Sequence, residues 1–99
     1  SAYLRLFGVA LRDSGQYEEA IAQAQKATEQ EPNDLISWVV LVSSLSLGGH
    51  EEEAGKAAKE ILRINPNFSV ASYERSAPQK ERSAVKRLGD ALRSAGLPE

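Results

Sequence analysis

Leu4, Phe7, Gly8 and Leu11 are spaced by three and four residues, and Trp38, Leu41, Val42 and Leu45 repeat that spacing 34 residues later. This period places the side chains on one face of a helix, so each run predicts the first helix of a pair. Ala20, Ala24 and Ala27 mark one face of a second helix in the first half, and Ala54, Ala58 and Ile61 do so in the other. Their small side chains predict a close approach of paired backbones. Gly15 and Gly49 fall where the first helices must stop, because a residue without a side chain takes the left-handed conformation just past a helix end. Pro32 and Pro66 close each pair, since proline donates no backbone hydrogen bond and clashes with the preceding turn. The pattern predicts two antiparallel helical hairpins, over residues 1–34 and 35–68.

The two hairpins are copies of one unit. A shift of 34 residues aligns Leu11, Gly15, Glu18, Glu19, Ala20, Ala24, Pro32 and Asn33 with Leu45, Gly49, Glu52, Glu53, Ala54, Ala58, Pro66 and Asn67, without a gap. In this the chain resembles the tetratricopeptide repeat, with its large apolar residues at positions 4, 7 and 11, alanine at 20 and proline at 32. The resemblance implies an α-α superhelix that binds other proteins. It also implies a concave groove lined by the first helix of each hairpin, here carrying Arg5, Val9 and Arg12, then Ile36, Val39, Val40, Ser43 and Leu47. The family's clamp for a peptide carboxylate needs asparagine where Val9 and Val40 stand. Only Arg5 fits it, so a receptor for C-terminal carboxylates is not expected.

Residues 69–99 depart from the repeat, with Pro78 where a third first helix should continue and Ser83 where the turn glycine should be. A short helix is expected from Ser69 to about Ser76, with Val70 and Tyr73 packed on the second hairpin. Beyond Pro78, Ala84, Val85, Leu88, Ala91, Leu92 and Ala95 share a stripe, while Arg82, Lys86, Arg87, Asp90 and Arg93 fall mostly off it. This predicts an amphipathic helix over 79–95 that caps the stack, as the end of a solenoid requires. Gly96 stands at its C-terminal stop, with Leu97 able to fold back and Pro98 preventing continuation. The expected fold is therefore all-α: a tetratricopeptide-like superhelix of two hairpins plus a degenerate third unit, in one domain over 1–99. The run Asn65-Pro66-Asn67-Phe68-Ser69-Val70, with Leu92 to Glu99 about thirty residues on, resembles the C-terminal end of bacterial class III adenylate/guanylate cyclases that carry such repeats. The catalytic residues of those enzymes belong to a domain that these residues do not include. The lack of methionine and the Ser-Ala-Tyr start lead us to expect a segment of a longer protein, and the likeness to bacterial proteins of this kind implies a cytoplasmic one.

Composition narrows the chemistry. At 99 residues, 41% of them apolar, the chain is near the lower limit for a self-sufficient core. The longest mainly apolar stretch, 35–47, is well short of the roughly 20 residues that cross a bilayer. There is no cysteine and one histidine, His50, which removes disulfides, thiolates and any two-histidine metal site. No cofactor, metal or catalytic residue is expected. Glu18-Glu19 and His50 with Glu51-Glu52-Glu53 could suggest metal or acid–base work. Both acidic groups, however, open a helix, where free amides and the macrodipole favour negative charge by about 0.3–1 kcal/mol each. His50 is expected to be a solvated imidazole in a turn. Neither a Gly-x-Ser-x-Gly elbow nor a phosphate loop is present, and Gly48-Gly49 is a turn.

Charge and hydrophobicity point to proteins as partners. Residues 1–62 carry a net −5 and residues 63–99 a net +3, within an overall −2. Nucleic-acid binding usually needs a strongly basic domain. A basic end that meets the acidic end of another copy, or of a parent domain, suits this asymmetry better. The first helix of the second hairpin is apolar round nearly its whole circumference. Trp38, Leu41, Val42 and Leu45 are accounted for within the stack, whereas Ile36, Val39, Val40 and Leu47 need either the terminal helix or a partner over them. If a partner, a second copy in a homodimer is the simplest.

Overall fold

The computed structural model describes residues 2–76 and 82–99, with side chains described for 7–76 and 85–99. The chain forms α1 (Ala2–Asp13), α2 (Tyr17–Gln30), α3 (Leu35–Leu47), α4 (Glu51–Ile64), α5 (Val70–Arg75) and α6 (Arg82–Ser94), with no strand among the described residues.

The two hairpin turns and the stop after α6 follow from three glycines at positive φ. Gly15, Gly49 and Gly96 have φ of 83°, 86° and 97°. In each turn the glycine N–H donates to the carbonyl three residues back, and the next N–H reaches the carbonyl five residues back: Gln16 to Leu11, His50 to Leu45, Leu97 to Leu92. This is the Schellman pattern, which satisfies carbonyls that the helix end leaves free. The proline turns also match. Asp34 N–H donates to Glu31 carbonyl at 3.1 Å and Phe68 N–H to Asn65 carbonyl at 3.0 Å, with proline second in each four-residue turn. The first of these turns is gripped from two sides: Pro32 carbonyl accepts from Trp38 Nε1 (2.8 Å) and from the Arg63 guanidinium (2.9 Å) at the end of α4.

α1 pairs with α2, α3 with α4, and α2 lies between the hairpins against α3. Close pairing depends on small residues. Ala20, Ala24, Ala27 and Ala54 are fully buried, and Ala58 nearly so. A β-carbon on Gly8 of α1 would stand 3.3 Å from Val40 Cγ1 and 3.7–3.8 Å from the backbone of Ala20 and Ala24. Gly8 therefore marks where α1, α2 and α3 meet.

The third unit folds back onto the second hairpin. Ser69 caps α5 by accepting from Ser72 N–H, and Val70 is fully buried. α6 packs on both α3 and α5, with Val85, Leu88, Ala91, Leu92 and Ala95 buried and Leu97 turned into the same apolar cluster. The stripe expected of a capping helix is thus the buried face of α6, described from Arg82 on; residues 79–81 of the expected helix lie outside the described residues. Pro78 lies outside the described residues, as do the side chains of Ser83 and Ala84. The fold-back leaves the molecule nearly isometric, 28 × 27 × 24 Å, instead of lengthening the solenoid.

Candidate protein-docking face

α3 is the hub. It touches α1, α2, α4 and α6, which is the environment a helix apolar on all sides requires. Trp38 is half-buried against the core, and Leu41, Val42 and Leu45 are buried. Val39 and Val40 are 3% and 2% exposed. Val40 faces the first hairpin through Gly8, and Val39 shares an apolar cluster with Leu92 and Leu97 from the third unit.

The residues named for the concave groove divide by accessibility. Ile36 is 45% exposed, and Val9 and Leu47 are half-buried. Arg12, Val39, Val40 and Ser43 are buried within the chain. The side chain of Arg5 lies outside the described residues. Arg12 reaches inward from the last turn of α1: its Nη1 donates to Ser43 Oγ at 3.0 Å and its Nε to Asp13 Oδ1 at 3.0 Å. Ser43 is held in turn by a bond from its hydroxyl to Val39 carbonyl at 2.8 Å. Tyr73 of α5 faces the same charges. Burial pushes its phenol above the usual value, while Arg12 opposes the shift and Asp13 adds to it. Arg12 and Ser43 thus link the end of α1 to the middle of α3.

The third unit is fastened by a network that sequence reasoning missed. Arg93 forks onto Glu74 of α5 at 2.8 and 3.1 Å, and its Nε donates to Glu99 at 2.7 Å. Val70 N–H donates to Pro98 carbonyl at 2.9 Å, and Ser69 hydroxyl to the Glu99 carbonyl. Gly89 makes room for the pair, since a β-carbon there would collide with the Glu74 carboxylate. A glycine inside an amphipathic helix was the one signal available. A cavity of about 400 Å³ beside this pair is lined by Glu74, Val85, Lys86 and Arg93. A second trough, of about 440 Å³, runs over Trp38, Leu41, Leu45 and Ala57 between charged rims from Glu53, Lys56 and Glu60.

The acidic group at the start of α4 makes structural contacts. His50 is not simply solvated: its Nε2 lies 2.6 Å from Glu18 Oε2, and its Nδ1 3.5 Å from Glu53 Oε1. The hydrogen bond to Glu18, then that carboxylate's charge, raises the imidazole above its ordinary range. Glu51 accepts from Ser94 Oγ at 2.7 Å and so ties α4 to α6. Among the described residues no three His, Asp or Glu side chains converge as a metal would require. No helix among them is long and apolar enough to cross a membrane.

Comparison with known proteins agrees with the first hairpin. Residues 2–34 match the family model of the tetratricopeptide repeat. No curated protein and no solved structure matches the chain. The second hairpin lies beyond the matched residues, yet it repeats the glycine stop and the proline turn of the first.

Proposed function

We propose that this chain is a non-catalytic protein–protein interaction module that brings together two copies of its parent, or docks on a domain of that parent. The observation that carries the reading is the stack of tetratricopeptide-like hairpins, with the repeat matched over residues 2–34 and Ile36 exposed on the face of its first helices. A fold of this kind is typically non-catalytic and works by surface contact. The parent we propose is a bacterial, cytoplasmic signalling protein of the class III nucleotide cyclase type. The supporting feature is the likeness of 65–70 and 92–99 to the ends of such cyclases. Two basic side chains of the third unit are already paired within the chain, Lys86 with Asp90 and Arg93 with Glu74 and Glu99, which favours protein over nucleic acid as partner.

Light scattering across a concentration series tests self-association against the chain mass of 10.7 kDa. A mass near twice that value, lost in Ile36→Glu with helicity intact, is the expected result. Association that persists in Ile36→Glu removes this face from the proposal. A mass of one chain at every concentration removes self-association and leaves a helix or peptide from another protein as the ligand. The coding sequence adjoining the segment decides the cyclase assignment.

A further inference from the structure

The trough over Trp38 is a slot with an apolar floor and closed ends. Leu41, Leu45 and Ala57 on the floor are buried, and the half-buried indole of Trp38 already donates its N–H to Pro32 carbonyl at 2.8 Å. The floor side chains therefore offer no hydrogen bond, and an apolar body is what suits them. The sides are α2, through Gln25, and α4. At one end Glu18, at the start of α2, meets His50, at the start of α4, at 2.6 Å. At the other end Arg63 of α4 donates to Asn33 Oδ1 at 3.0 Å and to Pro32 carbonyl, in the turn that follows α2. α2 and α4 thus run in the same direction, clasped at both ends, and the volume of about 440 Å³ lies between the clasps. A slot closed in this way suits a compact ligand better than a helix laid through it, and its volume is in the range that holds one.

The polar groups along the rims differ in what they have left to offer. Glu53 lies 3.5 Å from His50 and Glu60 2.7 Å from Arg63, so both carboxylates are already engaged. Lys56, exposed between them on α4, makes no ion pair or side-chain hydrogen bond among the described residues, and the same is true of the exposed Gln25 side chain on α2. Ammonium and amide N–H groups are both donors, and they stand on opposite sides of the slot. We propose that this slot binds a small monocarboxylic acid with an apolar body. The body lies on Trp38, Leu41 and Leu45, and the carboxylate accepts from Lys56 Nζ and Gln25 Nε2. A ligand ammonium would meet Lys56 as a like charge and find Glu53 and Glu60 already paired. Ile36 does not line the slot, so the site is separate from the face proposed for self-association and does not depend on it.

Trp38 is the single tryptophan of the chain, so its emission reports on the slot directly. The probe is octanoate, titrated into the full chain below its micelle concentration, with octylammonium and 1-octanol as controls of the same length. Octanoate should give a saturable change in Trp38 emission, with an affinity about tenfold above that of either control, the scale of a hydrogen bond to a charged group. Lys56→Gln, at an exposed position, should weaken octanoate to the level of octanol. Ala57→Leu fills the floor and should abolish the response. If circular dichroism shows Ala57→Leu to be unfolded, Gln25→Glu sets a carboxylate on the opposite rim and should weaken octanoate by about tenfold as well. No saturable response to octanoate, octylammonium bound as tightly, or octanoate bound unchanged by Lys56→Gln, by a folded Ala57→Leu or by Gln25→Glu would each overturn the proposal. Self-association is read from mass and this site from emission, so failure of either leaves the other standing.

Discussion

Gly15, Gly49 and Gly96 share one backbone state, and nothing lies within 4 Å of a β-carbon built on any of them. Substitution there acts through the backbone alone. Gly49→Ala should cost about 1–2 kcal/mol, the ordinary penalty of the left-handed conformation, read as a lower urea midpoint with unchanged slope. These three stops are legible in residue order, because the conformation a turn requires is a local property of glycine. His50 is less legible, since Glu18 is 32 positions away and only the hairpin stack brings it to the ring. That contact favours the imidazolium, so the folded-state pKa lies above the ordinary 6.5. The stabilisation is then complete below about pH 6.5 and is lost as pH rises through the raised folded value. Proton NMR should show His50 titrating above 6.5, and Glu18→Gln should return it toward that value. His50→Gln should remove this part of the pH dependence of unfolding.

α3 shows how a helix can be recognised without its neighbours being known. Its apolar circumference demands burial on all sides, but periodicity cannot say whether another part of the chain or a partner supplies it. The chain does so itself, with α1 over Val40 and the third unit over Val39, and this sorts two substitutions that look alike in sequence. Val39→Glu places a carboxylate in a site 3% exposed and should abolish the cooperative helical transition. Ile36→Glu, on a side chain 45% exposed, should shift stability by no more than about 0.5 kcal/mol. Parallel thermal melts followed by far-ultraviolet dichroism separate them. At the junction of α1, α2 and α3, Gly8→Leu should destabilise by about 1–3 kcal/mol. Its side chain must displace Val40 and meets the backbone of Ala20 and Ala24.

An exposed apolar end on a helical stack is costly, and the third unit folds back onto the second hairpin instead of extending the stack. Leu92 and Leu97 thereby join one apolar cluster with Ile21, Val39 and Ile61 from both hairpins. Leu92→Ala should cost about 2–5 kcal/mol, a large share of the roughly 5–15 kcal/mol that holds a typical domain. Urea titration followed by Trp38 fluorescence and by far-ultraviolet dichroism should give coincident midpoints for both the parent chain and this variant. A separate early transition in the dichroism would instead mean that α5 and α6 unfold independently of the hairpins.

The number of hairpins, their glycine stops, their proline turns and the buried stripe of the last helix can all be read from residue order. Each depends on interactions within a few positions along the chain: the period of a helix, the φ of a glycine, the ring of a proline. The covering of Val39 and Val40, the inward turn of Arg12 to Ser43, and the fork of Arg93 on Glu74 cannot. These join residues 19 to more than 50 positions apart, and many folds share the same local pattern without making them. Which face of α3 remains open to a partner follows from how the third unit docks, because apolar attraction has no direction of its own. Packing shape and the few charge-assisted hydrogen bonds select one arrangement among those the pattern permits.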